Sequence, residues 1–154
     1  MEKKNIDWGN IGFGYVQTEK RYVSYYKNGA WDQGGLTEDA NIVLNECAGV
    51  LQYAQTIFEG LKAYTTEDGR IVAFRPDLNA ERMMDSARRL EMPEFPKERF
   101  IDAVDRAVSA NSAYVPPYGS GATLYIRPTG VRMNISSVSS ARLWGLISRA
   151  ARSP

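Results

Sequence analysis

The run FEGLKAYTTEDGRIVAFRPDLNAERM, from Phe58 to Met83, sets two short stretches of β-formers either side of an Asp-Gly pair and follows them with a proline and an amphipathic segment. Residues 61–65 and 70–74 read as strands. Thr66-Glu67-Asp68-Gly69 reads as the tight turn between them, since glycine takes the positive φ that such turns demand. Pro76 closes the second strand. Residues 79–90 then place Met83, Ala87 and Leu90 on one side and Arg82, Arg88 and Arg89 elsewhere, the pattern of a helix lying on a core. On the N-terminal side, residues 48–58 repeat Val50, Leu51, Ala54 and Phe58 near helical spacing, with Gly60 where a C-terminal stop belongs. Further out, RYVSYY (21–26), the pair Asn28-Gly29 and Ala30-Trp31 spell a hairpin. On the C-terminal side, Pro93 and Pro96 interrupt the chain, and residues 98–110 bring Phe100, Val104, Ala107 and Val108 to one helical face. After a loop over 116–121, ATLYIR (122–127) alternates like a strand up to Pro128. The order ββ-α-ββ-α-α-β predicts an α+β domain.

Composition narrows the chemistry. The 154 residues are 44% hydrophobic and 11% aromatic, enough to bury a core. There is no histidine and the one cysteine is Cys47, which excludes a Cys/His zinc site, a histidine-based triad and an internal disulfide. No metal site is expected. The net charge of +1 is a cancellation: thirteen basic and eighteen acidic groups up to Asp105, then six arginines and no acid. The start, MEKKNIDWGN, has no apolar leader, and no stretch reaches the roughly 18 apolar residues of a spanning helix. The expectation is a soluble cytoplasmic protein.

What remains for chemistry is lysine, tyrosine, carboxylate and arginine. Tyr125 and Arg127 are two apart on an expected strand, so their side chains leave one face and can meet a carboxylate together. Arg82 is expected in the first turn or so of its helix, where a guanidinium and orphan backbone N–H groups can hold a phosphate. On spacing alone, surface residues or structural ion pairs are the plainer reading of both arginines. Lys62 can be pictured as a carbonyl-reactive amine, although a water-facing strand lysine is the plainer reading. Phe13, Tyr15, Tyr53, Phe58 and Tyr125 can wall an apolar pocket or simply be core.

Taken in order, FGYV (13–16), the tyrosine of LQYAQTIFEGLKAY (51–64), FRPDLNAERM (74–83) and TLYIRP (123–128) resemble the branched-chain amino acid aminotransferases, fold-type IV pyridoxal-phosphate enzymes, over about Trp8 to Pro128. The resemblance implies a small N-terminal domain, an antiparallel sheet with two or three helices, over residues 1–128. It also implies pyridoxal 5′-phosphate as cofactor, and reversible amino transfer between leucine, isoleucine or valine and 2-oxoglutarate. A homodimer is implied, with no nucleic acid or membrane partner. Arg82 matches the arginine that binds the cofactor phosphate, Tyr125 and Arg127 the strand pair at the substrate, and Phe13 and Tyr53 the aromatic wall around an aliphatic side chain. The family's Schiff-base lysine belongs to a large C-terminal domain that this chain lacks, and Lys62 matches a different, non-catalytic lysine. No catalytic residue is therefore assigned, and the fragment alone is expected to be inactive. D-amino-acid aminotransferase and aminodeoxychorismate lyase, of the same fold type, are the neighbouring readings; a non-catalytic dimerising or basic-tailed binding module is the distant one.

Beyond Pro128 the pattern stops, and residues 129–154 contain neither acid nor lysine. Joining the last base of each codon to the first two of the next permits Asp-Glu-Tyr-Gln-Phe across Arg132 to Ser137. The same shift permits Pro-Val-Gly-Pro-Tyr-Phe-Lys-Gly-Gly across Arg142 to Ala151. Both strings resemble the family's continuation, so 129–154 is expected to be a non-native, frameshifted tail. A basic extension that binds nucleic acid or a membrane is the alternative.

Overall fold

A computed structural model of the chain describes residues 3–11 and 16–133 in full and the backbone alone of 141–145 and 149–152. In chain order the elements are β1 (Arg21–Lys27), β2 (Ala30–Trp31), β3 (Gly35–Thr37), α1 (Gly49–Tyr53), β4 (Thr56–Phe58), β5 (Leu61–Thr65) and β6 (Ile71–Ala73). They continue with α2 (Pro76–Arg89), α3 (Lys97–Ala110), β7 (Ala122–Ile126), β8 (Pro128–Arg132), β9 (Ala141–Gly145) and β10 (Arg149–Arg152). The strands form two antiparallel sheets, one ordered β2-β1-β9-β8-β4 with β3 also on β1, the other β10-β7-β5-β6. The α+β expectation holds.

Local chemistry sets the turns. Asn28 (φ 53°) and Gly29 (φ 83°) both take left-handed backbone, which closes β1 on β2 in a two-residue hairpin with Lys27 opposite Ala30. The Asp-Gly turn behaves likewise: Gly69 sits at φ 82°, and the Thr66 N–H donates to the Arg70 carbonyl at 2.8 Å.

The core gathers side chains from α2, α3 and both sheets, Tyr22 of β1 and Ile57 of β4 among them. Leu61 and Ala63 of β5 and Leu124 and Ile126 of β7 alternate inward and meet Ala80, Met83 and Ala87 of α2 and Phe100, Val104, Ala107 and Val108 of α3. Each large side chain so enclosed stabilises the fold by about 1.5–3 kcal/mol. Trp31 joins this core edge-on to Phe95, centroids 4.9 Å apart, and its indole N–H donates to the Glu94 carbonyl at 2.8 Å. Among the described residues no helix is long and apolar enough to cross a membrane.

Two expectations are corrected. The helix expected over 48–58 is only the five residues of α1; Ala54 turns left-handed (φ 51°) and returns its N–H to the Gly49 carbonyl, and the chain then runs out as β4 against β8. Ladder bonds to β8 outweigh a helical repeat whose Leu51 and Phe58 are both exposed. Second, α2 opens at Pro76, not at residue 79, because proline suits the first helical position. Arg82 therefore sits in the second turn.

Ala54 carries a side chain in a backbone region that favours glycine, at an exposed site where the methyl packs against little. Ala54→Gly is expected to stabilise the chain by about 1 kcal/mol, read as a higher urea midpoint with an unchanged slope.

Candidate functional site

Lys62 and Tyr125 are cross-strand partners in the β5–β7 ladder. Because Leu61, Ala63, Leu124 and Ile126 are held inward, period-two alternation sends both side chains to the opposite face of the sheet. There, with Arg75, Asn79 and Arg82 of the α2 region, they line a cleft of about 340 Å³.

Tyr125 sets the shape of one end. A Cβ placed on Gly60 would lie 2.4 Å from the Tyr125 hydroxyl oxygen and 3.1 Å from its ring, so only glycine fits beneath it. Gly60 thus serves close approach between strands and not the helix stop its position implies. The Arg127 Nε donates to the Tyr125 hydroxyl at 3.1 Å, leaving the phenol's own proton for a further acceptor. The Arg127 guanidinium also stacks on two rings, 4.6 Å from the Phe58 centroid and 5.2 Å from that of Tyr125. The expected pairing of Tyr125 with Arg127 is met, although β7 ends at Ile126 and Arg127 lies just beyond it.

At the other end Arg82 is clamped by Glu59. Its Nε donates to Oε1 at 3.2 Å and its Nη2 to Oε2 at 2.8 Å. Asn79 Nδ2 donates to the same Oε2 at 2.8 Å and to the Gly60 carbonyl at 3.0 Å. The Glu59 side chain is 12% exposed against 57% for Arg82, and the carboxylate raises the guanidinium pKa above its ordinary value. Seven residues into α2, Arg82 is beyond the orphan N–H groups of the helix start, so the expectation that it shares a ligand with them is set aside. Glu59 and Asn79 went unnoticed in the sequence. The available signal was the i, i+3 spacing of Asn79 and Arg82, which puts both on one helical face; that Glu59 lies against that face follows from the packing and not from the spacing.

Two cations line the cleft without full neutralisation: Lys62, at which no ion pair forms among the described residues, and Arg82, whose Nη1 makes no bond to Glu59. Arg75 is spent on Asp77, with Nε and Nη2 donating at 2.8 and 2.7 Å. This donor set suits a phosphate or carboxylate. Among the described residues no group of three histidines, cysteines or acids could hold a metal. Tyr53 ends α1 at 70% exposure, away from the cleft lining. Phe13 and Tyr15 lie outside the described residues.

The Arg75 guanidinium holds the Asp77 carboxyl at about 2, below the usual 3.8. A depressed folded-state pKa contributes stability above the unfolded value, and that contribution is lost as pH falls from about 4 to about 2. The carboxyl carbon of Asp77 is expected to titrate near pH 2 by NMR, and in Arg75→Gln to return toward its ordinary value.

No protein-family model matches the chain. Among curated proteins, the branched-chain-amino-acid aminotransferase of Haemophilus influenzae is 49% identical over 134 residues, 86% of this chain and 39% of that protein. A methionine aminotransferase of Arabidopsis thaliana is 45% identical over 125 residues, 80% of this chain and 35% of that one. Among solved structures, the Escherichia coli branched-chain amino acid aminotransferase superposes with a TM-score of 0.60 at 19% identity, over 87% of this chain and 40% of that one. The enzyme of Thermobaculum terrenum in its pyridoxal-phosphate form gives 0.57 at 20% identity, over 90% and 42%. The chain spans 31–39% of the length of curated relatives such as these, and the fold is that of the corresponding part of the solved enzymes.

Proposed function

We propose, with kinship to the branched-chain-amino-acid aminotransferases as the premise, that residues 1–128 are the small domain of such an enzyme, transferring amino groups between leucine, isoleucine or valine and 2-oxoglutarate. The observation that carries this reading is the joint placement of Arg82 and Tyr125 on one cleft with Arg127 bonded to the Tyr125 hydroxyl. Arg82 holds the phosphate of pyridoxal 5′-phosphate, to which its exposed guanidinium offers Nη1. Tyr125 and Arg127 receive the substrate, the phenol as donor to a carboxylate and the guanidinium as its counter-charge, with Phe13 at the wall around the aliphatic side chain; Tyr53, which does not line this cleft, is left out of that wall. Phe58 and Tyr125 keep Arg127 in place by stacking, so its charge stays near the reacting end. When bound, the cofactor supplies the electron sink and amino-group carrier of transamination.

The similarity to a methionine aminotransferase fits an apolar side-chain wall, because such a wall rewards buried area and demands no polar partner. Within the same proposal the parent enzyme is a cytoplasmic homodimer in branched-chain amino-acid biosynthesis, and residues 129–154 are a non-native tail. Support for the tail is the pair of family-like strings that one frame shift recovers; the nucleotide sequence beyond codon 128 should then continue, in the shifted frame, into the remainder of an aminotransferase.

Two measurements test the site. The 154-residue polypeptide should bind pyridoxamine 5′-phosphate, which needs no anchoring lysine, and Arg82→Ala should weaken that binding roughly 10–100-fold by calorimetry, as loss of charged hydrogen bonds predicts. The same polypeptide should show no turnover of leucine with 2-oxoglutarate; measurable turnover would mean that the reacting lysine is supplied by this chain.

A further inference from the structure

We infer that Glu59 is the positioning residue for Arg82: it fixes the guanidinium so that one edge is spent on the protein and the other is presented to an anion in the cleft. This rests on the reading of Arg82 as the phosphate-holding residue. The observation behind it is a bonded chain that begins on the backbone. The Gly60 carbonyl accepts from Asn79 Nδ2, the same amide nitrogen donates to Glu59 Oε2, and both carboxylate oxygens accept from Arg82. Asn79 is only 6% exposed and commits both amide hydrogens, so it cannot swing away without losing two bonds at once. Glu59, at 12% exposure, is therefore anchored by Asn79, and Arg82, the exposed member, is held by Glu59 alone among the described residues.

Two effects of Glu59 oppose each other. Its carboxylate repels a bound phosphate, and its two parallel bonds freeze a long side chain that would otherwise sample many rotamers. Arg82 is more than half exposed, so water and salt screen the repulsion. Rotameric freedom is not screened. Positioning therefore wins, and removing the carboxylate weakens anion binding even though it leaves the cleft more positive. Simple electrostatics gives the opposite sign, which makes the inference testable.

Pyridoxamine 5′-phosphate and, in a second arm, inorganic phosphate are titrated into the 154-residue chain by ligand-observed NMR, at ordinary salt and at about 0.5 M, where screening is within a few ångströms. Glu59→Gln is expected to bind each about tenfold more weakly than the unaltered chain at both salt levels. In the side-chain nitrogen–proton spectrum, the resolved Nη protons of a locked Arg82 should merge. Glu59→Asp keeps the charge but is one methylene shorter, so it should bind several-fold more weakly; it carries the test if Glu59→Gln fails to fold. Unchanged or tighter binding in the Gln variant, or unchanged binding in the Asp variant, overturns the inference. If the unaltered chain binds neither probe, or Arg82→Ala binds as well as it does, the phosphate reading of Arg82 falls and this inference falls with it.

Discussion

The antiparallel register of β5 with β7 is the constraint on which the rest depends. Leu61 lies opposite Ile126, Lys62 opposite Tyr125 and Ala63 opposite Leu124, so the ladder that buries four apolar side chains against α2 and α3 also turns a lysine and a tyrosine together to the other face. A slip of one residue would bury Lys62 and expose Leu61. Burial of the core thus fixes where the cleft is, and the small size of Gly60 lets Tyr125 lie close across its end. Site and core are two faces of one pairing.

The cleft's electrostatics follow from unequal neutralisation. Arg75 and Asp77 are neighbours two apart at the start of α2 and cancel each other at the surface. Arg82 meets its acid from another segment, through a residue that the β4–β5 connection places beneath the helix, and that acid is anchored by Asn79. Lys62 forms no ion pair among the described residues. The surplus is the Lys62 charge, beside a tyrosine hydroxyl and the stacked Arg127, an arrangement that suits a doubly or singly charged oxyanion.

Much of this was legible in the sequence where local rules decide. Asn28-Gly29 and Asp68-Gly69 announced their turns because few residues tolerate positive φ, and the Phe100, Val104, Ala107, Val108 face announced α3 because its period is unambiguous. The helix over 48–58 was misread because Val50, Leu51, Ala54 and Phe58 mimic a helical repeat in a segment too short to be helical without tertiary support. The β8 ladder, seventy residues away, claims its second half. Arg82 was assigned to the wrong turn because the start of α2 rests on Pro76, which reads equally as the end of a strand.

The sequence by itself determined the α+β class, the two glycine-dependent hairpins, the apolar faces of α2 and α3, and the shared face of Tyr125 and Arg127, since each follows from spacing within a dozen residues. Only the tertiary structure decided that Glu59 and Asn79 clamp Arg82, that Phe58 stacks on Arg127, and that Gly60 makes room for Tyr125. Glu59 and Arg82 are 23 residues apart and Phe58 and Arg127 are farther still. Such contacts depend on how two elements pack, and side-chain periodicity within one element carries no information about the distance to another.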